Sequence, residues 1–175
     1  METADFINRA LTSVRSSVAL TLDGLSPGQL IHRPAAESNP IGWLIWHMAR
    51  MQDRGMSAIT GEEQLWTRDG WHERYGMAAD PRDTGMGHDA ARVSAFAAPN
   101  AVTLLEHYDA VLESTRNHLS ALGPDDLDRV VETGSSAPPA TVGERLIAVV
   151  NGNMQHVGQA GYVRGLIEGR RWHPR

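Results

Sequence analysis

Two kinds of side-chain chemistry are closed to this chain, that of cysteine and that of lysine. There is no cysteine, which excludes disulfides, thiolate metal sites and a cysteine nucleophile, so any thiol has to be brought in from outside. There is no lysine either: all 16 basic residues are arginine, which excludes a lysine Schiff base. Eight histidines remain as candidate ligands and bases. The standard spacings fail on them. His72 and Glu73 begin an HExxH pattern, but its fifth position is Gly76, and no Glu-x-x-His pair occurs. There is no P-loop, no dinucleotide fingerprint and no GxSxG elbow.

Six of the histidines read first as solvated or locally hydrogen-bonded groups. His32 lies in a Pro-rich turn, His72 follows Trp71, His88 lies in a Gly-rich loop and His173 in the tail, while His107 and His118 share a helical pattern. His47 and His156 differ. In the helical pattern that contains WLIWHMARMQD the apolar centre runs through Ile41, Leu44, Met48 and Ile59, and His47 lies about a quarter turn from it. In a later helical pattern the centre runs through Leu146, Val150 and Val157, with His156 at a comparable margin. Margin positions can face the gap between neighbouring helices, where bundles build metal and cofactor sites. Metal ligand, catalytic base and satisfied core histidine all remain open for His47.

Four long helical patterns must position these residues. The first covers 3–22, with apolar residues at 6, 7, 11, 14 and 18. The second starts near Pro40, with Ser38 or Asn39 as its cap and Pro40 in the first turn, and runs to Thr60 before Gly61. The third covers about 101–122. The fourth starts at Thr141, with Glu144 as capping-box partner, and runs to about Glu168. Between them, GLSPGQLIHRP breaks the first pattern, and 61–99 is irregular, with short helical pieces after Gly70 and in DAARVSAFAA. GPDDLDRV reads as a loop or single turn, and ETGSSAPPA as a breaker. No segment alternates as a half-buried strand does, and VVET at 130–133 is too short to count as one. The expectation is an all-α four-helix bundle, one domain over 1–175, with a long elaborated connection between helices two and three.

Composition limits the partners. The net charge is −5 and the arginines are scattered, only Arg170 and Arg171 being adjacent, which speaks against nucleic acid. No run of roughly 18 apolar residues indicates a membrane span, and METADFINRALTSV does not read as a signal peptide, so a cytoplasmic protein is expected.

Taken together, NPIGWLIWHMARMQDR, LWTRDGWHERYGM and QHVGQAGYVRGLIEG resemble the DinB/YfiT-like superfamily, and within it the actinobacterial mycothiol-dependent, mycothiol S-transferase-like branch. The resemblance covers nearly the whole chain, including the LSPGQLIHRP turn. It implies a four-helix bundle, often a homodimer, holding a divalent metal on one histidine of helix two and two residues of helix four. The helix-two histidine maps onto His47. Aligned on Arg164-Gly165, the helix-four pair falls either on Gln159 and Val163 or on His156 and Gln159, and Val163 cannot bind a metal. The implied ligand set is therefore His47, His156 and Gln159, with a carboxamide where the family has a histidine. A carboxamide is a poor donor for zinc, so the affinity should lie below that of a three-histidine site.

The implied metal is zinc, with nickel or manganese as alternatives. The implied activity is a mycothiol-dependent S-transferase that activates the cofactor thiol for attack on a small electrophile in detoxification. Arg50 and Arg164 are candidates to hold the cofactor, and Tyr162 joins Trp43, Trp46, Trp66 and Trp71 as a candidate pocket wall. The sequence singles out no catalytic residue beyond these. The alternative is a bundle that kept the fold, lost the full metal site and acts as a binding or structural protein.

Overall fold

Periodic apolar residues build each of the four long helices in the computed structural model, which describes residues 2–131 and 139–171. Helix α1 spans Thr3–Leu22 and buries Leu11, Val14 and Val18. After the short α2, Pro27–Leu30, helix α3 spans Ile41–Thr60 and ends at Gly61, whose φ of 76° supplies the left-handed turn that stops it. Three short helices follow: α4, Leu65–Arg68; α5, Trp71–Arg74; and α6, Ala90–Ala95. Helix α7 spans Ala101–Leu119 behind an Asn100 cap, and α8 spans Val142–Glu168 behind the Thr141/Glu144 capping box.

The expected all-α bundle is present. Helix α3 packs between α7 and α8, and α1 packs on the same two helices from the other side. Helices α3 and α8 run antiparallel, since His47 meets His156, Gln52 meets Asn153 and Gly55 meets Val149. They also lie close: a Cβ on Gly55 would come within 2.9 Å of Val149. One core holds Leu11, Leu44, Met48, Leu104 and Leu112, and a second at the far end holds Met56, Ile59, Val142 and Leu146. Between the helices a polar chain is fully satisfied. Tyr108 donates to Asn153, Asn153 to Gln52, and Gln52 to Thr115, at 2.9, 3.1 and 2.8 Å.

Several local expectations need correction. Helix α3 has Pro40 itself as N-cap, with no side-chain cap from Ser38 or Asn39, because the fixed φ of proline suits the extended cap geometry. GLSPGQLIHRP contains the one-turn α2, closed by a Ser26/Gln29 capping box. Helix α7 ends at Leu119, earlier than 122. Val130–Val131 pairs antiparallel with Ala140–Thr141, a two-residue ladder too short to show alternation. GPDDLDRV holds a single 3₁₀ turn, Pro124–Asp128, as expected. Most of the ETGSSAPPA breaker and His173 lie outside the described residues. Among the described residues no helix is long and apolar enough to cross a membrane.

The long connection between α3 and α7 is held by charge buried in α3. Arg50 is fully buried and pairs with Asp53 at 3.1 Å. Asp53 also accepts from the backbone amides of Leu65 and Trp66, both at 2.9 Å, which fixes the start of α4. Arg50 donates onward to the carbonyls of Pro81 and Asp83 and to the Gln64 side chain, and its guanidinium lies 4.5 Å from the Trp66 ring centre. Burial pulls the Arg50 pKa down to about 10 against the opposing pull of Asp53, so it stays charged at neutral pH.

Candidate functional site

One loop determines what His47 can do. Arg50 anchors residues 81–83 over α3, and the next residue, Thr84, turns its carbonyl onto His47 Nδ1 at 2.5 Å. A carbonyl only accepts, so Nδ1 carries the hydrogen and Nε2 keeps its lone pair. Gly85 makes the approach possible. Its φ is 86°, and a Cβ there would come within 2.7 Å of Trp43, 2.8 Å of Trp46 and 3.1 Å of His47 Nδ1. Trp43 stacks on the His47 ring, with centroids 4.8 Å apart and planes 12° apart. The Trp43 indole N–H donates to His88 Nδ1 at 3.3 Å, and His88 Nε2 donates to Asp83 at 2.9 Å. Burial holds the His47 pKa below the usual imidazole range; the Thr84 carbonyl opposes this, and His156 and His88 add to it.

His156 reaches the same place from α8. Its ring centroid lies 4.8 Å from that of His47, with the planes at 77°. Two imidazoles on one tetrahedral ion with Zn–N near 2.0 Å have centroids roughly 5 Å apart. Gln159 Oε1 lies 2.7 Å from His156 Nδ1, so Nδ1–H donates to it and Nε2 is the free nitrogen of this ring as well. Both histidines therefore have an oxygen acceptor on Nδ1, the arrangement that orients metal-ligating imidazoles. The donor set fits a divalent ion with two protein nitrogens. Gln159 is exposed, and in this geometry its carboxamide oxygen serves His156 first. Among the described residues no group of three His, Cys, Asp or Glu converges.

The histidines sit at one end of a cleft of about 770 Å³ between α3 and α8, a size suited to a small molecule. Its wall includes Met48, Met51, Met86, Arg54 and Arg145. The other residues expected at the site are elsewhere. Arg50 is committed to the connection, as described. Arg164 donates to the Leu20 and Thr21 carbonyls at 2.5 and 3.0 Å and to Glu168 at 3.0 Å, closing the C-terminus of α1. Tyr162 is 70% exposed on α8. Of the tryptophans, Trp43 touches His47, whereas Trp66 and Trp71 pack around His107. His107 is fully buried and shares a hydrogen bond with the Tyr75 hydroxyl at 3.0 Å.

Sequence reasoning missed Thr84, Asp83 and His88, and the arginines that line the cleft. The one available signal for the loop was its glycines, Gly85 and Gly87, both at positive φ.

The comparisons agree with this architecture. A family model described as the DinB superfamily matches residues 10–160. A solved structure, the crystal structure of a conserved protein from Enterococcus faecalis, is similar with a TM-score of 0.87 and 23% identity, over 97% of this chain and 99% of that one. At that identity it shows the fold alone. No curated protein matches.

Proposed function

The chain belongs to the DinB superfamily, which includes metal-dependent enzymes, and from that premise we propose that it is a metal-dependent thiol transferase. The observation that carries this reading is the bond between Thr84 carbonyl and His47 Nδ1, which commits a buried imidazole to offering Nε2 beside a second imidazole. His47 and His156 are the proposed ligands. Gln159, whose Oε1 meets His156 Nδ1, is proposed to orient that ring or to serve as a weak third ligand. A bound zinc ion, or nickel or manganese in its place, would supply Lewis acidity and lower the pKa of a thiol brought to it.

The remaining work falls to the chain. Trp43 and the Thr84 carbonyl hold His47 in one tautomer and one plane. The methionines of the cleft give the body of a small electrophile an apolar, adaptable wall. The chain has no thiol of its own, so the sulfur comes from a low-molecular-weight thiol, with mycothiol as the proposed co-substrate. A conjugation assay with mycothiol and a generic electrophile tests this. The reading predicts turnover that a chelator abolishes and that His47→Ala lacks; chelator-insensitive turnover, or none with zinc present, contradicts it.

A second reading has its own observation. With no third histidine, carboxylate or thiolate converging among the described residues, the bundle could serve as a binding protein without metal. A homodimer is also proposed: Ile147, Met154, Tyr162 and Leu166 leave apolar surface exposed on α8.

A further inference from the structure

The cleft beside His47 and His156 has a second end, and its charge is opposite to that of the protein. The chain carries −5, yet the residues lining the cleft include two arginines and two histidines and no Asp or Glu. Among the described residues no carboxylate pairs with Arg54 or Arg145, whereas most other arginines have one. The neighbouring carboxylates are engaged elsewhere: Asp53, next to Arg54, is held by Arg50 and by the Leu65 and Trp66 amides. Glu144 accepts from the Thr141 amide at 2.8 Å, and Glu62 lies 3.8 Å from Arg68 and 3.4 Å from His118. Among the described residues Arg145 Nε is buried without a hydrogen-bond partner, so its donor capacity is not used within the fold.

The antiparallel pairing puts Arg145 at the end of the cleft away from the histidines and Arg54 part-way toward that end. Gly55 meets Val149, so Arg54 and Arg145 lie on the same side of the His47/His156 contact. At about 1.5 Å per residue, Arg54 lies roughly 10 Å along α3 from His47, and Arg145 roughly 16 Å along α8 from His156. Met48 and Met51 lie between these ends on α3, and Met86 closes the wall from the loop.

We propose that the cleft binds a small amphipathic molecule by its anionic head, a carboxylate or phosphate held by Arg54 and Arg145, with its apolar body along the methionines. Placing the reactive end of that molecule beside His47 and His156 rests on the metal-centre reading; the anion contact does not. The head belongs at the arginine end because guanidinium groups bind carboxylate and phosphate oxygens through several N–H donors. A ten-carbon chain has the length to place its far end near the histidines.

The test uses chelator-treated protein, so that it stands whether or not a metal binds. Decanoate, decyl phosphate and the neutral decanol are titrated at submicellar concentration and followed by calorimetry. The proposal predicts that at least one anion binds about 10-fold or more tighter than decanol. The tighter of the two names the head group. Arg145→Gln and Arg54→Gln should each reduce that preference while leaving decanol affinity unchanged, with circular dichroism melts confirming a folded chain. Equal binding of decanol and both anions, or a preference that survives both substitutions, overturns it. Anion binding by the metal-free protein, with no turnover once zinc is supplied, would retire the transferase reading and keep this one.

Discussion

Arg50 and His47 lie three positions apart on α3 and show how differently single residues can be read. The margin position of His47 was legible from helical spacing. Its tautomer was not, because the deciding carbonyl belongs to Thr84, 37 residues along the chain. Arg50 was expected to hold a cofactor, and the structure commits it to Asp53, Gln64 and two loop carbonyls. A sequence gives an arginine the same letter whether it meets solvent, ligand or the chain's own backbone. The buried pair makes a sharp prediction. Removing one partner leaves a buried carboxylate uncompensated, which typically costs about 3–5 kcal/mol. Arg50→Ala should lower the stability measured by urea unfolding by that order, and a loss below about 1 kcal/mol would show that the pair does not organise the connection.

At the scale of elements, the long helices were legible because each repeats its apolar pattern over several turns and carries a recognisable stop or cap, Gly61 and the Thr141/Glu144 box among them. Helices α2 and α4 were not, since four residues hold little more than one period. The loop that closes over His47 could be read as a loop but not as a clamp. Its approach depends on Gly85, so Gly85→Ala should release it. The left-handed backbone alone costs an alanine about 1–2 kcal/mol, and the new Cβ would press on Trp43 and Trp46. The expected result is a lower melting temperature together with a changed tryptophan emission. Unchanged emission would mean that the loop does not pack on these rings.

The whole molecule follows from which helices share a neighbour. With α3 between α7 and α8, the α3–α8 seam brings His47 to His156, a juxtaposition across more than a hundred residues that spacing within either helix could only suggest. The same packing seals His107 in the core, where a helical pattern alone suggested a solvated group. Burial pushes the His107 pKa down to about 3, and the nearby Arg50 and Arg74 charges add to this. An unfolded histidine titrates near 6.5, so between those values the unfolded chain binds the extra proton. The His107 contribution to stability is therefore fully present above about pH 6.5 and falls by up to about 1.4 kcal/mol per pH unit below it, until His107 itself protonates. His107→Gln should flatten that slope in pH-dependent unfolding, and an unchanged slope would place the acid sensitivity elsewhere. The homodimer reading is checked by sedimentation: Tyr162→Glu should shift a dimer toward monomer, whereas a monomeric wild type contradicts it. The central claim, a metal centre across the α3–α8 seam, meets its most direct test in a zinc titration against a competing chelator. The expected result is one zinc per chain in the wild type, lost in His47→Ala and in His156→Ala; no binding at micromolar zinc, or binding that survives both substitutions, would show that the two histidines do not form a metal centre.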